Sequence, residues 1–137
     1  MKNNELVHKL IYLLKKKNHP LSEMQHFDQG ENGILQTLYV YEQNKEKELT
    51  PSELSKIQQL SSGRIATTLK TLEKKQLIER TTDGEDKRRS IVQLTKKGRE
   101  VAEKIIKITL QKFENIVEKL GEQDALEFIR ILKRLAE

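Results

Sequence analysis

The chain contains no cysteine. That excludes disulfides, thiolate metal sites and thiol-oxidation sensing, and it fits a reducing compartment. Tryptophan is also absent, and three Phe and three Tyr are the only aromatics in 137 residues, so the core has to be aliphatic. A small aliphatic core is marginal alone, and oligomerisation is a common remedy. No long apolar run is present. Residues Leu6 to Leu14 are apolar-rich but include His8 and Lys9 and are too short to span a bilayer. With no signal peptide in view, a soluble, cytoplasmic protein without a membrane partner is expected. The phosphate-loop, HExxH and GxSxG signatures are missing as well, so no enzyme and no cofactor are expected.

What the chain does have is charge, unevenly placed. The net charge is +5, and residues 50–99 hold 12 Lys+Arg against 6 Asp+Glu, while the remainder holds 14 bases and 15 acids. A basic middle between near-neutral ends suggests a module facing a polyanion, carried on a helical frame. Chance clustering of solubilising lysines is the alternative that motifs have to beat.

Periodicity gives the frame. Leu6, Val7, Leu10, Ile11 and Leu14 recur at helical spacing and predict an amphipathic helix over 4–17. Pro20, Gly30 and Gly33 interrupt the pattern, and Ile34, Leu35, Leu38 and Tyr39 begin a second helix. "LTPSEL" is a strong start signal: Thr50 as N-cap, Pro51 at the first helical position, Glu53 three residues on to complete a capping box, and Leu49 with Leu54 as a hydrophobic staple. This helix is short, with Leu54 and Ile57 expected inward. "QQLSS" ends it, and Ser61 caps a further helix through Lys75.

Ile65, Leu69 and Leu72 form the inner stripe of that helix. At about 100° per residue the outer side presents Gly63, Arg64, Thr67, Lys70, Thr71 and Lys74. "LIERTT" and "SIVQLT" then alternate apolar and polar β-formers, which predicts a hairpin around "DGEDKRR". Thr95 caps a long helix whose stripe runs Val101, Ile105, Thr109, Phe113, Ile116, Leu120, with Ile106, Ile108, Leu110 and Val117 off it. Gly121 breaks it, and Ala125, Phe128, Ile129, Leu132 and Leu135 define a last helix. So wide an apolar girdle favours a second chain as partner over a monomer with its ends folded back.

Helix, short helix, turn, longer helix and hairpin are the order of a winged helix-turn-helix, whose second turn helix lies in the DNA major groove. Ser61, Ser62, Arg64, Thr67, Thr68, Lys70 and Thr71 supply donors and acceptors there. Arg64 suits guanine, threonine methyls suit thymine, and Gly63 lets backbone approach phosphate at the helix N-terminus. A merely solvated face would not need three threonines, poor helix formers, within five residues.

The stretch from "LTPSELS" through "TLEKKQLIER" and "DGEDKR" to "QLTKKGRE" resembles the core of the MarR family of bacterial transcriptional regulators. The resemblance implies a homodimer that binds double-stranded DNA at a near-palindromic operator, usually as a repressor relieved by a small-molecule effector. It also places Asp83, Asp86 and Arg88 at the wing's acidic and basic positions, with Asp86 orienting Arg88 into the minor groove. Physics agrees, because a held arginine gains from the concentrated potential of a narrow groove. Asp83 and Gly84 help form the turn, while Lys87 and Arg89 serve phosphates, unless Arg89 lies along the strand. One departure is Gln76, where the family commonly has glycine for a left-handed helix end; Gln76 either bears that strain or ends the helix differently.

The expected fold is mainly α with a small β-hairpin wing (an α+β winged helix-turn-helix) and terminal helices for dimerisation. It divides into an N-terminal helix and connection over 1–32, the DNA-binding domain over 33–95, and C-terminal dimerisation helices over 96–137. His8, His19 and His26, with Glu5, Glu23 or Asp28, are the only metal-site candidates; without cysteines or an i, i+4 histidine pair, surface histidines are the better reading. Leu13, Leu14, His19, Phe27 and Leu35 would line the family's ligand cleft or be plain core, and core is favoured. Two other functions compete: an adaptor that uses the winged fold to bind protein, and an RNA-binding module.

Overall fold

In the computed structural model, residues 2–16, 30–82 and 89–137 are described. In chain order the elements are α1 (Asn3–Lys15), α2 (Gly30–Gln43), α3 (Pro51–Gln58), α4 (Ser62–Lys74), β1 (Ile78–Thr82), β2 (Ser90–Leu94), α5 (Lys96–Leu120) and α6 (Glu122–Ala136). They match the predicted order, and α1 differs from its predicted span only at its ends, where helices fray. No helix among the described residues is long and apolar enough to cross a membrane.

The chain forms two compact units. One spans residues 28–107; the other combines 1–27 with 108–137, so α5 contributes to both. The first unit has an aliphatic core of Ile34, Leu35, Leu38, Leu49, Leu54, Ile65, Leu69, Leu72, Leu77, Ile78, Val92, Leu94 and Ala102, with Tyr39 and Tyr41 only partly buried against it. Leu35 is thus plain core. The antiparallel hairpin pairs Ile78 with Leu94, Arg80 with Val92 and Thr82 with Ser90. Leu49 adds a further bridge, accepting from the Val92 amide at 2.8 Å. Val92 is thus paired on both sides, with Arg80 and with Leu49, and is buried along with Ile78, Ile91 and Leu94 of the hairpin.

Four expectations need correction. Leu13 and Leu14, favoured as core, are exposed. Gly30 and Gly33, read as interrupting the helical pattern, lie within α2, where Gly33 is buried. Ile57, read as inward, is 40% exposed. Helix α3 is too short to bury both residues: Leu54 fills the core, the chain turns away at Gln59, and Leu60 packs against the core cluster. Ile106, set off the long-helix stripe, is buried with Gly98 and Ala102. Those three positions, four apart, form the row of α5 that faces the core.

In the second unit Ala125 is buried, whereas α1 buries nothing. Leu6, Val7, Leu10, Ile11, Leu13 and Leu14 on α1 are all exposed, as are Ile108, Leu110, Val117 and Leu120 on α5 and Leu126, Ile129, Ile131, Leu132 and Leu135 on α6. Gly121, at φ 82°, separates α5 from α6 in a backbone conformation that side chains disfavour.

Candidate nucleic-acid interface

The interface begins at the start of α3. The Thr50 hydroxyl accepts from the Glu53 amide at 3.2 Å, and Glu53 Oε1 accepts from the Thr50 amide at 3.3 Å and hydroxyl at 3.0 Å, so the predicted capping box is complete. The same carboxylate reaches further than sequence spacing could show. Lys47 Nζ lies 2.6 Å from Oε2, and Arg89 Nη2 lies 2.8 Å from Oε1. The hydrogen bond from Lys47 holds the Glu53 carboxyl well below the usual range, at about 2, against the desolvation that opposes it; Thr50 adds to the effect.

The turn into α4 is fixed from both sides. Gln59 takes the left-handed conformation at φ 54°, and the Leu60 amide donates to the Ser55 carbonyl at 3.1 Å, which ends α3 in a Schellman motif. The Ser55 hydroxyl donates to the Leu60 carbonyl at 2.5 Å, and Thr37 ties α2 to Gln58 at the same distance. Ser61 caps α4 as predicted, accepting from the Arg64 amide at 3.2 Å.

Ile65, Leu69 and Leu72 are buried and orient α4. Its other side is open: Ser61, Ser62, Gly63, Arg64, Thr67 and Lys70 are exposed, while Thr68 and Thr71 are half-buried. All eight predicted residues of the helix are therefore brought to one element, with Thr68 toward its flank. Nothing crowds Gly63: a Cβ there would have no neighbour within 4 Å, so its close-approach role depends on what binds outside.

Some cations of this unit are paired with carboxylates and others are not. Lys47, Lys75, Arg80, Arg89 and Arg99 each meet a carboxylate, on Glu53, Glu31, Glu73, Glu53 and Glu42 respectively. The side chains of Arg64, Lys70 and Lys74 have no hydrogen-bond or ion-pair partner among the described residues. The cations of the unit that point outward without a counter-charge include these three, on one helix face.

The far end of α4 answers the Gln76 question. Gln76 bears the strain, at φ 61°, and the amides of Gln76 and Leu77 close a Schellman motif on the carbonyls of Glu73 (2.9 Å) and Leu72 (3.0 Å). Thr95 joins this end to α5. Its hydroxyl donates to the Gln76 carbonyl at 2.6 Å and accepts from the Gly98 amide at 3.0 Å, while its amide donates to the Leu77 carbonyl at 3.1 Å. Lys97 Nζ adds a hydrogen bond to the Lys75 carbonyl at 3.2 Å.

Sequence reasoning missed three parts of this frame: the Glu53 hub, the left-handed Gln59 and the packing role of Gly98. A glycine at the third position of a long helix was the available signal for the last, since local propensity argues against it. Asp83, Gly84, Asp86, Lys87 and Arg88 lie outside the described residues. So do His19, His26, Phe27, Glu23 and Asp28, and no cluster of metal-ligating side chains occurs among the described residues.

The comparisons with known proteins fit this geometry. The family model "Winged helix DNA-binding domain" matches residues 33–113. A mutant of MepR from a multidrug-resistant Staphylococcus aureus clinical isolate is 25% identical, with a TM-score of 0.61, covering 99% of this chain and 96% of that one. S. aureus MepR bound to ethidium bromide is 25% identical at a TM-score of 0.52, over 99% and 95% of the two chains. MepR described as a transcription regulator of the S. aureus multidrug efflux pump MepA is 23% identical at 0.54, over 99% and 97%, and shows a shared fold. No curated protein sequence matches the chain. With more than half its length matched and its helices and wing in this order, the chain belongs to the winged helix DNA-binding domain family, in the MarR-type form.

Proposed function

We propose that the protein is a homodimeric, sequence-specific DNA-binding regulator of transcription, acting as a repressor that a small ligand relieves. The observation that carries the reading is the outer face of α4: the side chains of Arg64, Lys70 and Lys74 are unpaired beside Gly63 and Thr67, whereas Arg80, Arg89 and Arg99 of the same unit each meet a carboxylate. Unneutralised cations on one exposed helix suit phosphates and guanine edges. In this reading residues 33–95 meet DNA, and 1–32 with 96–137 pair two chains.

Pairing is supported by the apolar side chains left uncovered on α1, α5 and α6, which exceed what an isolated protomer usually exposes. Asp86, Lys87 and Arg88 keep the wing roles that the family resemblance implies. Arg89 is assigned a positioning role, bracing β2 on Glu53 beside any phosphate it meets. The ethidium-bound MepR supports the effector part of the proposal. Selection from random duplex DNA at near-physiological salt tests the whole. An enriched palindrome with half-sites about one helical turn apart is expected; a chain that enriches no duplex is not an operator-binding regulator.

A further inference from the structure

Every threonine of α4 has already donated its proton. Thr67 Oγ1 donates to the Gly63 carbonyl at 3.0 Å, Thr68 Oγ1 to that of Arg64 at 2.7 Å, and Thr71 Oγ1 to that of Thr67 at 3.2 Å. A hydroxyl has one proton and two lone pairs, so each side chain keeps an acceptor and a methyl group for anything outside the helix. Thr67 lies near the centre of the outer face, and Thr71 follows one turn later on the same side. Thr68 lies on the flank nearer the core and is set aside.

We infer that Thr67 and Thr71 select A·T base pairs. This rests on the reading that α4 enters the major groove. There an A·T pair offers the two features these side chains match: the adenine N6 amino group, which donates to a free lone pair of Oγ1, and the thymine methyl, which packs on the threonine methyl. Guanine presents N7 and O6, both acceptors, and a threonine whose proton is committed within the helix has nothing to give them. Cytosine offers an amino group but no methyl. Donation to purine acceptors falls instead to cations of the same face, with Arg64 placed one turn before Thr67 and Thr68. The internal hydrogen bonds thus turn residues that could read any base into residues that read one pair.

Base analogues test each half of the contact separately in the selected duplex, using the full chain. Deoxyuridine in place of thymine removes only the methyl. Purine in place of adenine removes only the amino group. The unaltered protein is expected to lose about fourfold in affinity for the deoxyuridine duplex, the factor that burying one methyl group corresponds to, and to lose affinity for the purine duplex as well. The double variant Thr67→Ser/Thr71→Ser keeps the acceptor and becomes insensitive to deoxyuridine. Thr67→Val/Thr71→Val keeps the methyl, loses the acceptor and becomes insensitive to the purine exchange. Valine and serine have helix propensities close to that of threonine, so circular dichroism should show both variants folded. The inference is overturned if neither analogue changes binding, or if the preference lost in the valine variant is for G·C. Failure of the unaltered protein to enrich any duplex would instead overturn the proposed function.

Discussion

A methyl group placed on Gly98 would lie 1.8 Å from the carbonyl oxygen of Leu77. The obstacle is backbone, already held by the Thr95 amide, so neither side can move without opening the junction of α4, β1 and α5. Gly98→Ala should therefore destabilise the fold by at least about 2 kcal/mol despite alanine's better helix propensity. Urea unfolding would show it as a lower midpoint with little change in slope; an unchanged midpoint would mean the junction yields easily.

Gln76 predicts the opposite sign. A non-glycine residue in the left-handed region pays a steric penalty that glycine escapes, partly offset by glycine's greater unfolded-state freedom. Gln76→Gly should raise stability by roughly 0.5–1 kcal/mol. Gln59→Gly, which relieves the same conformation at the end of α3, should act independently, since no partner is shared.

Acid should weaken the start of α3. The Glu53 carboxyl titrates at about 2 in the folded chain, against 4.5 as its ordinary value. A depressed folded-state value means the unfolded chain takes up the proton first. The stabilisation is thus complete above the ordinary value and is lost as pH falls through the window down to about 2. Glu53→Gln should lower the unfolding midpoint near neutrality, and the gap between the two proteins should narrow as the pH approaches the bottom of that window.

Arg64→Ala should leave folding untouched, because its guanidinium meets nothing among the described residues. It should weaken binding to the selected duplex by about 1–3 kcal/mol and relax preference at one base position. Lys74→Ala should instead weaken all duplexes alike and reduce the salt slope by about one. The two profiles, measured by titration at several salt concentrations, separate base reading from phosphate contact.

Leu10→Glu on α1 or Leu132→Glu on α6 places a charge where the isolated protomer already exposes the side chain. Helical content should survive, and sedimentation should show dimers for the unaltered chain and monomers for either variant. Dimers that persist in both variants would move the interface elsewhere.

Much of this was legible in sequence because the informative signals are local. Thr50, Pro51 and Glu53 announce α3 within four residues, Ser61 announces α4, and Ile65, Leu69 and Leu72 show which side it buries. The change from helical to alternating pattern after Gln76 marks the hairpin. What escaped depends on partners distant along the chain. Nothing near Glu53 suggests that Arg89 will return to it, and nothing near Gly98 shows that the Leu77 carbonyl will sit against it. Ile57 was misplaced for a related reason: periodicity assigns a face, but the length of α3 decides how many residues that face can bury. The threonine hydrogen bonds were invisible too, since sequence names a hydroxyl without saying where its proton goes.

The side chains that hold α4 in place and those that point away from it are different residues. Ile65, Leu69, Leu72, Ser61 and the Gln76–Thr95 junction fix the helix, and none of them uses the side chain of Arg64, Thr67, Lys70 or Lys74. The outward positions can therefore be rewritten almost freely at constant stability. If α4 reads DNA as proposed, a chain built this way could drift from one target sequence to another through folded intermediates, and positions 64, 67 and 71 would form a library for redirecting it.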